Sequence, residues 1–165
     1  MLNALGAVSR WISRLSLGFA ALGLILMVGI ITWQVFARYG LQASPAWSEQ
    51  AALAIMLWYV LIAAAVGVRE RFHIALTSVF ELLPGGWARF GRMISLVSVL
   101  AFGLAAALWG GELVARTWAH DVPTLGVPRG FVYLPLPLSG ALVAFFAIEH
   151  LLAEAQSKKV EPLWD

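Results

Sequence analysis

The residues able to carry chemistry in this chain are few and stand apart. The three histidines, His73, His120 and His150, each fall in a connection or at the end of a long apolar run. Haem ligation needs imidazoles facing one another inside a bundle, so this placement argues against a cytochrome. The chain has no cysteine, which removes thiolate ligands, cysteine nucleophiles and disulfides. It has no G-x-S-x-G, H-E-x-x-H or P-loop sequence, so neither a hydrolase elbow nor a nucleotide cradle is expected. An ion pathway through a membrane is marked by an ionisable residue in the apolar core, where a charge is costly and is kept for function. The long uncharged runs have Thr32, Gln34, Ser95, Ser98 and Ser139 as polar members. Hydroxyls of this kind bond to their own helix backbone more readily than they coordinate sodium. Glu112 and Arg116 are spaced as an i,i+4 pair, but an exposed pair of that sort contributes only about 0.3–0.5 kcal/mol. No enzymatic activity, cofactor or metal is expected.

The elements that would position these residues follow from the charge gaps. Of 165 residues, 61% are hydrophobic and 12% charged, about half the charged share of a soluble domain. Lys and Arg exceed Asp and Glu by two and form no dense basic cluster, so nucleic acid is not expected as a partner. Between Arg14 and Arg38 lie 23 uncharged residues, about 34 Å of helix, against a hydrocarbon core of about 30 Å. Residues 50–68, 93–111 and 130–148 give three further windows of 19 residues each. The first window is too long for a signal-peptide core and lacks a cleavage-site ending. The windows are apolar all round, whereas strands of a membrane barrel alternate, so helices are expected. The fold class is therefore all-α integral membrane, a single domain over 1–165 with spans near 15–37, 46–68, 90–112 and 131–152.

Orientation comes from the basic residues. Arg10, Arg14, Arg69, Arg71, Arg89, Arg92, Lys158 and Lys159 lie on one side, and Arg38, Arg116 and Arg129 on the other. The positive-inside rule places both termini and the 69–92 connection in the cytoplasm. Trp11, Trp47, Trp87 and Trp118 fall near expected helix ends, at headgroup level, whereas Trp58 lies within the second span and is read as packing. In the first outer connection Ser44 can cap a helix that Pro45 begins, with Glu49 at its positive end. In the inner connection Phe72, Leu76, Val79, Phe80 and Leu83 share one helical face. A short amphipathic helix over 70–84, lying on the membrane and ended by Pro84-Gly85-Gly86, fits this pattern; a continuation of the second span is the alternative. Small residues at Ala63/Gly67, Gly103/Ala107/Gly111 and Gly140/Ala144 permit close helix approach, either within the bundle or against another subunit. Pro135 and Pro137 set the start of the last span near Pro137, or kink its entry.

Two stretches resemble a known family. Phe36-Ala37-Arg38-Tyr39 closes the first span, Trp47-Ser48-Glu49 opens the second, Val66-Gly67-Val68-Arg69 ends it, and His73-Ile74 precedes Leu82-Leu83-Pro84. Further on, Leu125-Gly126-Val127-Pro128 leads into Tyr133-Leu134-Pro135-Leu136-Pro137. Together these are similar to the small membrane subunit, DctQ type, of tripartite ATP-independent periplasmic (TRAP) transporters. Gln50 stands where the family often has a second acid, and Ala75-Leu76-Thr77 where an acid often follows the His-Ile pair. The resemblance implies three partners: a large multi-helix membrane subunit carrying the sodium and substrate sites, a periplasmic substrate-binding protein that captures an organic acid, and membrane lipid. It implies a bacterial inner-membrane location and a scaffolding role in sodium-coupled import.

Candidate contact residues follow from position. Arg38, Trp47 and Glu49 sit at the outer ends of the first two spans, where they brace that connection or meet the binding protein; plain interface anchoring is the simpler role. Arg69 and His73 are placed at the cytoplasmic surface, holding the 69–92 segment against headgroups or the large subunit. A membrane anchor of a respiratory enzyme and an autonomous small channel are the competing classes.

Overall fold

The computed structural model describes residues 2–43, 45–70 and 86–156. His73, the 70–84 interfacial helix beyond Glu70, the Ser44 cap and Lys158 and Lys159 lie outside the described residues. Four long helices dominate: α1 (Leu2–Tyr39), α2 (Ser48–Arg69), α3 (Gly86–Thr117) and, after a two-stranded hairpin β1 (Asp121–Val122) and β2 (Val127–Pro128), a short α4 (Arg129–Tyr133) that runs into α5 (Pro135–Ala155). Each of the four expected spans has a helix long and apolar enough to cross a bilayer.

Two helices run far beyond their uncharged windows. The first helix has 38 residues, about 57 Å at 1.5 Å per residue, and starts well before residue 15. Arg10 and Arg14 bound the uncharged window, but a long basic side chain does not break a helix. Ser9 and Ser13 continue the packing face towards the N-terminus, and both are fully buried. The third helix likewise runs to 32 residues. The second begins at Ser48, whose hydroxyl donates to the Pro45 carbonyl at 2.8 Å, with Glu49 in the first turn.

The last span enters in two pieces. Pro135 and Pro137 cannot donate backbone hydrogen bonds, so the ladder lapses between α4 and α5. Leu134 keeps right-handed helical angles, φ −54° and ψ −33°, so the path continues with little change of direction. Regular helix resumes at Pro135, two residues before the expected start. The connection between α3 and α4 holds the hairpin, with Asp121 opposite Pro128 and Val122 opposite Val127. Gly126 turns it with φ 63°, a left-handed angle that glycine adopts without strain.

The helices form a row rather than a closed square. Helix α1 packs on α2, α2 on α5, and α5 on α3, while α1 and α3 lie at opposite ends. Helix α5 is the hub: 39% of its span is buried within the chain, against 11% for each of the outermost helices. The joint between α3 and α5 depends on missing side chains. A Cβ on Gly103 would lie 2.7 Å from the Ala144 nitrogen, and one on Gly140 would lie 2.5 Å from the Ala107 nitrogen. Two of the small-residue stripes therefore pack against each other within the chain. The third, Ala63 and Gly67, faces an open groove. Trp58 packs as expected, edge-on to Phe19 at 6.1 Å and tilted over Phe131 at 5.3 Å.

Candidate functional site

The antiparallel order brings the start of α1, the end of α2, the start of α3 and the end of α5 to one arginine-rich end. A buried polar node forms there among helices that are otherwise apolar. Arg69, the last residue of α2, turns inward with no side-chain exposure. Its Nε donates to Ser9 Oγ at 2.7 Å, and Ser9 in turn donates to Glu149 Oε2. The direct Arg69 Nε to Glu149 Oε2 separation is 3.7 Å, and Arg69 Nη1 reaches Glu70 Oε1 at 2.7 Å. His150 Nε2 donates to the Arg69 carbonyl at 2.9 Å. That carbonyl closes α2 and has no acceptor role within its own helix, so a neighbour must supply the donor. One node thus ties α1, α2 and α5 together with charges that are paired and hydrogen-bonded, as burial demands.

A second node is shallower. Arg92 directs Nε and Nη2 to the same Glu154 oxygen at 3.0 and 2.9 Å, and Arg89 reaches the Glu154 carbonyl at 3.4 Å. This pins α3 to α5 in a partly exposed setting.

The residues singled out from sequence fall into two groups. Arg38 in the last turn of α1 and Glu49 in the first turn of α2 are both exposed at the hairpin-bearing end, and Trp47 between them is 43% exposed. Arg69, expected to hold the 69–92 segment against headgroups or the large subunit, has a buried guanidinium that binds Ser9 and Glu70. Ser9, Glu149 and His150 were not singled out. Their signal was present as a Ser9/Ser13 pair on one helical face and as adjacent Glu149-His150 one residue beyond the last uncharged window. Glu112 and Arg116 do pair, at 2.5 Å, with both side chains largely exposed.

These features define a class: a polytopic membrane protein whose ionisable groups gather at helix ends and bind helices to one another. Residues 27–157 match the family described as "Tripartite ATP-independent periplasmic transporters, DctQ component", and the chain belongs to that family. It is similar to the sialic acid TRAP transporter small permease protein SiaQ of Vibrio cholerae, 25% identical over 126 residues covering 76% of this chain and 72% of that protein. A putative TRAP transporter small permease of Haemophilus influenzae is 18% identical over 147 residues, 89% of each chain. The isethionate TRAP transporter permease DctMQ of Oleidesulfovibrio alaskensis is 28% identical over 147 residues, 84% of this chain but only 23% of that longer protein. The chain is a TRAP small permease subunit, a multi-pass protein of the bacterial inner membrane. Of the classes left open by sequence, the family match selects the transporter subunit.

Proposed function

We propose that this chain is the non-catalytic small subunit of a TRAP importer, a scaffold for a large membrane subunit in the sodium-coupled uptake of an organic acid delivered by a periplasmic binding protein. The observation that carries this reading is the row of helices hinged on α5 and clamped at one end by the Arg69 and Arg92 nodes. A row presents long flanks to a neighbour and encloses no path, and its uncharged midsections offer no ionisable relay. The length of the isethionate permease fits the same division, since the stretch similar to this chain is under a quarter of that polypeptide. The positive-inside count assigns the arginine-rich end to the cytoplasm and the hairpin end to the periplasm. Arg38, Trp47 and Glu49 then face the side from which a binding protein would dock.

Proteoliposomes decide between a scaffold and a carrier. The chain alone should pass no organic acid under a sodium gradient, and uptake should appear only when the large subunit and the loaded binding protein are supplied. Accumulation by the chain alone would overturn the assignment of role.

A further inference from the structure

The row leaves α2 and α3 apart on one face of α5, and the gap is a groove of about 730 Å³. Its walls include Gly67 of α2 and Ser98 and Phe102 of α3, and Gly140 and Val143 of α5 form its floor. Small residues on the wall and floor leave the space unfilled by the described residues. A void at membrane depth forfeits dispersion contacts along its whole lining, so the groove favours an occupant.

We propose that the occupant is one phospholipid, taken from the leaflet at the arginine-rich end, with an acyl chain along the groove and its phosphodiester at Arg89 and Arg92. Length argues first. On α3 the lining runs from Ser95 to Ala106, twelve residues and about 16 Å of helix, close to half of a hydrocarbon core of about 30 Å. That suits one leaflet's acyl chain. A helix of a partner subunit crosses the entire core and needs a seat about twice as long. Charge argues second. The groove ends one turn from Arg92, whose side chain stays 32% exposed while paired with Glu154, and Arg89 beside it is exposed. Guanidinium groups at that level match a phosphate by charge and by hydrogen-bond geometry. Polarity along the groove argues third. Ser95 and Ser98 line the part nearest the arginines, while Phe102, Ala106 and Leu136 line the part further from them. The proposal rests on the membrane-spanning fold and not on the scaffolding role.

The absence of cysteine makes the test clean. Ser98→Cys becomes the sole thiol of this subunit and can carry a benzophenone maleimide in the assembled transporter reconstituted in phosphatidylglycerol and phosphatidylethanolamine nanodiscs. Irradiation should add the mass of one phospholipid to the labelled chain; adducts to the large subunit, or no lipid adduct, would overturn the proposal. Native mass spectrometry of the same complex should show one phospholipid retained through detergent washing. Ser98→Phe should abolish that retention, and Arg89→Gln should weaken it about tenfold, the scale of one lost charge-assisted hydrogen bond. Equal retention in both variants counts against the groove. Should Ser98→Phe fail to fold, the photoadduct of the labelled Ser98→Cys chain decides alone.

Discussion

Arg69 and Glu149 lie 3.7 Å apart with the Ser9 hydroxyl bonded to both, so a charge on α2 reaches a charge on α5 through a side chain of α1. The node joins distant parts of the sequence, since Ser9 and Glu149 are 140 positions apart. Loss of either charge is costly, because the node has almost no contact with solvent, although Arg69 would keep Glu70 if Glu149 were lost. Arg69→Met should therefore destabilise the chain by about 3–5 kcal/mol, the cost of stranding a buried charge. Arg69→Met with Glu149→Met should cost less than the sum of the two single changes. Thermal unfolding of the solubilised protein measures all three, and strictly additive losses would show that the pair is not coupled.

The Arg92 and Glu154 pair offers the contrast. Its side chains are 32% and 17% exposed, so water compensates for a lost partner. Arg92→Gln should cost no more than about 1 kcal/mol, and the difference should shrink in high salt. Unfolding midpoints at low and high ionic strength check this, and a salt-independent loss comparable to that of Arg69→Met would contradict the assignment of the two nodes.

The four spans were legible because uncharged windows long enough to cross a bilayer are a direct reading of solvent. Their order in space was not. A helix that is apolar on every side carries no stripe to say which neighbour it meets, so the row of α1, α2, α5 and α3 emerges only from close contacts such as Gly103 on Ala144. The early start of α1 is hidden in the sequence because charged residues bound a hydropathy window, although Arg10 and Arg14 interrupt hydropathy and not helix. Arg69 was noticed for its sign, which the positive-inside rule already accounted for, and this hid its inward turn towards Ser9. Glu149 and His150 lay just past a window edge, where a polar residue reads as a helix end. The hairpin at 121–128 leaves a trace in Gly126, the residue type that takes the turn's positive φ without strain.

The glycine joint gives a paired test within one helix. A methyl on Gly103 would meet backbone of α5, while one on Gly111 meets nothing within 4 Å. Gly103→Ala should force α3 and α5 apart and cost about 1–3 kcal/mol, as overpacking does. Gly111→Ala should be neutral or slightly stabilising, since alanine is the better helix former. Unfolding in graded dodecyl sulfate separates the two, and equal behaviour would mean that the close approach at Gly103 is not what holds the helices together.

At the opposite end, Arg38 and Glu49 close and open consecutive helices and are both exposed, so their contribution to folding is small. Exposed charges of this kind act mainly on encounter with a partner, through steering that weakens as salt screens it. If this end receives a periplasmic binding protein, Arg38→Glu and Glu49→Arg should lower uptake by the assembled transporter while leaving the yield of the membrane complex unchanged. The loss should appear in the concentration of binding protein needed for half-maximal uptake rather than in the maximal rate, and it should narrow as ionic strength rises. Uptake titrations at two salt concentrations measure both quantities. Wild-type titrations from both variants would reduce the two residues to membrane-interface anchors, whereas a fall in complex yield would move their role to the contact with the large subunit.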